Sequence, residues 1–388
     1  MAEQAEGVWD AWVAERARVR DRRGLRRAAK GLTDGTLDLA SNDYLGLSRH
    51  PAVVAAAGEA ARQHGAGAGA SRVVTGTHPV HEQLEARLCS YTGRRSALVL
   101  SSGYAANLGL LGALAAPGGH LVVDAHCHAS LVDGARLGRA EVTVVDHGSV
   151  EAVAAALESG VAQRSVVVVE SVYSVLGDAV PLAELAALCA ARGALLVVDE
   201  AHTLAATTGG SAVTAAGLAD AGHVVVTATL SKALGSQGGV VLLGGAGAGA
   251  LLDHLVNTAR TFLFDTGLAP PAAGAALAAL DLADEDRVAR LVARSAQVHD
   301  TLAAHVATST RVERGRGAVH SVRMDSPELA VEAARRLTDA GIAVGCFRPP
   351  SVPDGVSRLR VTAHADHDPG ILDRALRQIA VTVAEVHA

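Results

Sequence analysis

Between residues 97 and 243, seven short apolar runs alternate with longer alanine-rich stretches of helical pattern; the runs are 98–100, 121–123, 142–145, 166–169, 195–198, 224–226 and 240–243. Valine and leucine fill these runs almost continuously. A strand that is apolar at nearly every position has both faces buried, the condition of a mainly parallel sheet covered by helices on two sides. One large α/β domain is therefore expected. Its interior must be filled by small branched side chains, because the 388 residues include only Trp 2, Tyr 4 and Phe 3.

After residues 268–271 the pattern changes to a long helical segment, a segment over 312–324, a helix near 327–340, strand candidates over 342–347 and 357–362, and a final helix over 370–387. That order predicts a smaller C-terminal α+β domain. Trp9, Trp12 and Val13 stand at i, i+3, i+4 spacing, which predicts an amphipathic helix over 8–27. The expected division is 1–46 (N-terminal helix and extended segment), 47–266 (large domain) and 267–388 (C-terminal domain).

A net charge of −6 and a pI near 6.3 give no electrostatic reason for nucleic acid or an anionic membrane as partner, and point to small metabolites. The four cysteines form no CxxC pair and read as reduced thiols of a cytoplasmic protein. Glu3, Glu6, Asp10, Glu15 and Asp21 argue against reading the seven arginines of 16–27 as part of a transit peptide, and the uncharged stretch 233–252 is too rich in glycine for a membrane span.

Ligands of open α/β sheets collect at the carboxyl ends of strands, so the residues just after each run carry the most information. Ser101-Ser-Gly-Tyr104 opens a helix whose unpaired amides could hold a phosphate. Asp124-Ala-His-Cys-His128, Glu170-Ser-Val-Tyr-Ser174 and Asp199-Glu-Ala-His202 come directly after later runs. Lys232 stands after the next one and is one of only two lysines, with Lys30, among 34 basic residues. Arginine cannot become a neutral amine that attacks a carbonyl, whereas lysine can. Taken singly, a strand-end Asp is an ordinary helix cap and a lone His an ordinary buried imidazole. Together, a Schiff-base lysine, a phosphate cradle, a stacking imidazole and a carboxylate for a pyridine nitrogen are the requirements of pyridoxal 5'-phosphate. His126 and His128 with Asp124 also fit a metal-dependent hydrolase, with Asp199 and His202 as further ligands, but that reading leaves Lys232 without a role. A non-catalytic pyridoxal-binding regulator would need a helix-turn-helix region, for which the residues before Ser41 offer no room.

The ordered set Ser41-Asn-Asp-Tyr-Leu-Gly-Leu47, Gly69-Ala-Ser-Arg-Val-Val-Thr-Gly76, His81-Glu-Gln-Leu-Glu85, Ser102-Gly-Tyr-Ala-Ala-Asn107, His128-Ala-Ser-Leu131, Asp199-Glu-Ala-His202 and Thr229-Leu-Ser-Lys232 resembles the α-oxoamine synthases over nearly the whole chain. The resemblance implies the aspartate-aminotransferase-like fold (fold type I of pyridoxal-phosphate enzymes), with a seven-stranded mainly parallel sheet and a smaller C-terminal domain. It also implies a homodimer. Residues 70–77, 347–353 and 358–362 are most similar to the members that condense L-alanine with a pimeloyl thioester on the route to biotin. Sister reactions join glycine to succinyl-CoA or acetyl-CoA, or serine to a long acyl-CoA.

By position, the resemblance implies Lys232, His128 and Asp199 as catalytic. Gly103, Tyr104, His128, Ser174, Asp199, His202, Thr229 and Lys232 would contact the cofactor, and Arg26, His128, Ser351 and Arg360 the substrate. Two departures stand out. Residues 203–211 lack the arginine of the family's glycine-rich stretch, and Leu176 replaces an acid. Both are expected to bear on acyl fit or loop order.

Overall fold

The computed structural model describes residues 2–22, 31–160, 164–306, 312–313, 315–349 and 351–388. Its strands are β1 (Leu37–Leu39), β2 (Ser96–Leu100), β3 (Gly119–Asp124), β4 (Glu141–Val145), β5 (Arg164–Glu170), β6 (Leu195–Asp199), β7 (Val224–Thr229), β8 (Gly239–Leu243), β9 (Val312–Glu313), β10 (Val319–Met324), β11 (Ile342–Phe347) and β12 (Ser357–Thr362). β2 to β8 are the seven expected runs. They form one sheet in the order β2-β8-β7-β6-β5-β3-β4, in which β8 alone runs antiparallel to its neighbours.

The apolar runs are continuous because alternate residues enter two different cores. Leu98, Val123, Val168, Val197 and Val225 face one helical layer with Leu110, Leu111 and Leu255. Val99, Val122, Val167, Val198 and Val226 face the other with Leu84, Leu88 and Leu185. Each fully buried valine contributes roughly 1.5–3 kcal/mol through removal from water, so small side chains in number replace the missing aromatics.

The second sheet has the order β1-β11-β12-β10-β9. Its residues Val319, Val322 and Leu359 belong to the same core cluster as the second face of the large sheet, which holds the two sheets together. The segment 312–324 contributes two strands, β9 and β10, which pair antiparallel; Gly315 and Gly317 lie between them. β1 sits at the N-terminal end of the chain yet pairs parallel with β11. The first helix spans Ala2–Arg22, beginning earlier than the expected residue 8; residues 23–27 of the expected helix lie outside the described residues. Trp9 is 65 % exposed and Trp12 49 % exposed, so the predicted apolar stripe is not covered by the described residues.

Candidate active site

The strand ends of the large sheet enclose an inner cavity of about 230 Å³ whose lining includes Gly103, Tyr104, Asn107, Asp199, Thr229 and Lys232. A larger cavity of about 620 Å³ continues outward past Tyr173, Ser174, Leu176, Phe347, Ser351 and Arg360. His128, His202 and Lys232 line both.

Lys232 stands in a loop after β7 that is closed by backbone bonds from Leu230 N to Gly238 O (3.0 Å) and from Gly235 N to Lys232 O (2.9 Å). Leu230, Ala233 and Leu234 on either side are buried, whereas Ser231 and Lys232 line the inner cavity. Gly235 has φ +59, and a Cβ there would lie 2.3 Å from Ser48 N. No other residue type fits that position without moving the 43–48 segment.

Lys232 Nζ lies 2.6 Å from His202 Nε2, and His202 Nδ1 lies 2.7 Å from Tyr44 Oη. Tyr44 donates to Asn42 Oδ1 at 2.9 Å. Its oxygen therefore accepts from His202 Nδ1–H, so Nε2 is the acceptor for the lysine. Burial, with the nearby charges of Lys232 and Arg360, pushes the His202 pKa well down and keeps the ring neutral. Burial also lowers the Lys232 pKa to about 8, against the opposing pull of Asp199 and Glu170. An amine in that range is a competent base near neutral pH.

Asp199, at the end of β6, is fixed by Asn107 Nδ2 at 2.7 Å and Ala201 N at 2.8 Å. Asn107 also donates to Ser130 Oγ (2.8 Å), which meets His128 Nδ1 at 2.8 Å. Ser130 N donates to the same Nδ1 at 3.2 Å, so Nδ1 is unprotonated and Nε2–H is the donor that His128 can offer a bound oxygen. Burial holds the His128 pKa below its usual value. Glu170 Oε1 accepts His128 N at 2.6 Å, and burial beside Asp199 raises its pKa far above the carboxylate range. The sequence signal for Asn107 is present in the Ser102–Asn107 motif. The contacts of Glu170, Tyr44 and Asn42 are not legible there, because their partners are remote in sequence.

At the helix Gly103–Leu114, Ser102 Oγ caps Ala105 N and Ser102 O takes Ala106 N, both at 3.0 Å. The preceding Gly103 and Tyr104 amides have no protein acceptor among the described residues. A Cβ on Gly103 would stand 2.9 Å from Thr229 Cβ, so the missing side chain is what lets this helix end press against β7. Unpaired amides at a helix N-terminus, a carboxylate, an imidazole and a low-pKa lysine around one slot fit pyridoxal phosphate as a donor set.

Ser174 lines the outer cavity and not the inner one. Its carbonyl accepts from Arg360 Nη1 at 3.1 Å, while Arg360 Nη2 reaches Ala40 O (3.0 Å) and Asn42 Oδ1 (3.2 Å). The guanidinium lies 4.8 Å over the Phe347 ring, and its buried Nε has no hydrogen-bond partner among the described residues. Ser351 is exposed on the cavity rim. Arg26 lies outside the described residues. His126 stacks on His147 at 4.0 Å, and no three His, Cys, Asp or Glu side chains converge on a metal-sized site among the described residues.

The divergent segment 203–211 is held by a Ser171 Oγ to Thr203 Oγ1 contact of 2.8 Å and by Ser211 Oγ on Glu200 Oε1 at 2.9 Å. Within it, fully buried Ala205 has φ 61, and no other described non-glycine residue has a positive φ.

The model of the family "Aminotransferase class I and II" matches residues 34–379. A protein of Mycobacterium sp. (strain JLS) named 8-amino-7-oxononanoate synthase is 50% identical over 375 residues, covering 95% of this chain and 96% of its own length. One of the same name from Mycolicibacterium smegmatis is 52% identical over 361 residues, covering 92% of each. Among solved structures, a serine palmitoyltransferase from S. paucimobilis with a bound PLP–myriocin aldimine superposes with a TM-score of 0.88 at 29% identity, covering 98% of both chains.

Proposed function

Because the chain belongs to the class I and II aminotransferases, among their α-oxoamine synthases, we propose that it condenses L-alanine with a pimeloyl thioester, releasing carbon dioxide and the free CoA or carrier thiol and giving 8-amino-7-oxononanoate for biotin. The observation that carries this reading is sequence identity of about half, sustained over nearly the full length of relatives bearing that activity in their name, around a slot built on Lys232.

Pyridoxal phosphate, when bound, supplies an aldehyde carbon for amines and a ring that takes up the electron pair left on the amino-acid α-carbon. The Gly103 and Tyr104 amides, with the Thr229 hydroxyl, would hold its phosphate; His202, which also faces the inner cavity, and Ser174, which lines the outer one, would complete its contacts. Asp199, kept in place by Asn107, would hold a proton on the ring nitrogen. His128 would cover the ring face and offer Nε2–H to a substrate oxygen. Lys232 would be the attachment point. Displaced by alanine, its amine would take the α-proton on Nζ and return a proton to the same carbon after carbon dioxide is lost. Arg360 would orient a carboxylate through its planar fork, with Ser351 and Arg26 as further substrate contacts.

A homodimer in the cytoplasm completes the proposal. Its supports are family resemblance, the exposed Val73, Val74 and Phe264, and the absence, among the described residues, of a helix long and apolar enough to cross a membrane. Light scattering on the purified protein distinguishes a dimer from a monomer.

The decisive test pairs absorbance with turnover. Purified protein loaded with pyridoxal phosphate should show a band above the protein absorbance that L-alanine perturbs more than glycine or L-serine, and should release thiol from pimeloyl-CoA. Lys232→Ala should lose the band of the attached cofactor and reduce turnover by about ten-thousandfold. Turnover near wild type in that variant would refute the assignment.

A further inference from the structure

Outside the reacting groups, one side chain ties together the two loops that line the cavities. His147, in the turn after β4, places Nδ1 2.9 Å from Asp124 Oδ1 and Nε2 2.8 Å from Asp178 Oδ2. Carboxylate oxygens only accept, so both ring nitrogens must donate, and an imidazole can do that only as the imidazolium. His126 lies flat against the ring at 4.0 Å and 10°, and Tyr173 meets it edge-on at 4.4 Å and 88°.

Each carboxylate anchors a different wall. Asp124 also accepts His126 N and Gly148 N, both at 2.8 Å, which sets the path of the segment leading to His128. Asp178 closes the turn 173–178, where its carbonyl takes Tyr173 N at 2.9 Å; Ser174, Val175 and Leu176 of that turn line the outer cavity. We propose that His147 is a positioning residue: as an imidazolium clamped between Asp124 and Asp178, it fixes the spacing between the His128 loop and the Ser174 turn, and through them the fit of cofactor and thioester. The inference rests on the reading that these loops hold pyridoxal phosphate and the acyl substrate.

The charged and titratable groups facing His147 are Asp124 from the end of β3, His126 from the loop after that strand, and Tyr173 and Asp178 from the turn after β5; the charge of Asp354 reaches His126 from the loop before β12. Burial works against a charge on His147, but the hydrogen bonds and fields of Asp124 and Asp178 overcome it and raise its pKa from 6.5 to about 9. A folded-state pKa above the ordinary value means that the clamp's stabilisation is full below about 6.5 and is lost as pH climbs through about 9.

The test measures the dissociation constant of pyridoxal phosphate, by absorbance of the reconstituted protein, and KM for pimeloyl-CoA, from about pH 6.5 to about pH 10. His147→Gln should weaken both by about tenfold near neutral pH, and the ratio to wild type should approach one above about pH 9, where wild type has lost the same charge. A ratio that stays constant across the range would reduce His147 to space-filling and overturn the inference. Asp178→Asn, at a half-exposed side chain, should keep the fold and move the alkaline loss of cofactor affinity to lower pH; an unmoved midpoint would also overturn it. Wild-type protein that takes up no pyridoxal phosphate at any pH would instead overturn the functional reading itself.

Discussion

The inner and outer cavities share His128, His202 and Lys232 but are built from different material. The inner one is formed by the carboxyl ends of β5, β6 and β7, by the helix at Gly103 and by the loops that carry His128 and Lys232, with Asp199 and His202 buried and hydrogen-bonded on more than one side. The outer one is walled largely by loops and by the second sheet, with Leu176 and Phe347 beside Ser351 on its rim. On the proposed roles, the groups that would handle protons sit where one sheet fixes them, and the groups that would measure the substrate sit where two sheets meet. The division of labour predicts that inner substitutions change kcat and outer ones change KM.

The sharpest way to break that division is Asp199→Asn. It should lower kcat by about 100-fold while leaving KM for the thioester nearly unchanged, as steady-state kinetics on cofactor-loaded protein would show; a change confined to KM would erase the distinction. Next in size, on the proposed role of Arg360 toward a substrate carboxylate, Arg360→Lys would lose the bidentate contact, because an ammonium cannot present two parallel N–H groups to one carboxylate. KM for alanine should rise by about tenfold or more, with kcat changed far less.

A pH profile sharpens the inner side of the comparison. Lys232 must be neutral to take a proton, so the rate of α-hydrogen exchange from alanine should climb with pH and level off above about 8, whereas KM terms set by Arg360 should stay flat there. The smallest effect belongs to neither cavity wall. Ala205 holds a left-handed φ that costs an L-residue roughly 1 kcal/mol, so Ala205→Gly should raise the unfolding free energy by a fraction of that amount, after glycine's own entropy loss, with activity unchanged. Chemical denaturation would read it.

The inner cavity is far more legible in the sequence than the outer one. A strand buried on both faces must be apolar throughout, so 98–100, 166–169 and 224–226 announce themselves and the residues after them mark the sheet's functional edge. Composition carries no sign of direction, so the reversal of β8 is invisible. β1 escapes notice because three residues give no periodicity. His147 carries no signal of its own because its partners, Asp124 and Asp178, become neighbours only when β3, β4 and β5 are laid side by side. Arg360 and Ser351 are reached through resemblance, since their place on the outer wall depends on how the second sheet packs against the first. The stripe of Trp9, Trp12 and Val13 is readable as a helix face, but periodicity does not say what covers it.

The pairing of Leu37 with Ile342 has a consequence for the order of assembly during synthesis. The segment bearing Asn42, Tyr44 and Ser48, against which the Lys232 loop packs, leaves the ribosome long before the strand that pairs with β1 beside it. Pairings so distant in sequence form late. The large sheet can therefore collapse while the chain is still growing, but the lysine loop acquires its final backing only after β11 has emerged, and a nascent chain cut short before that point would carry Lys232, His128 and Asp199 without the finished backing of their cavity.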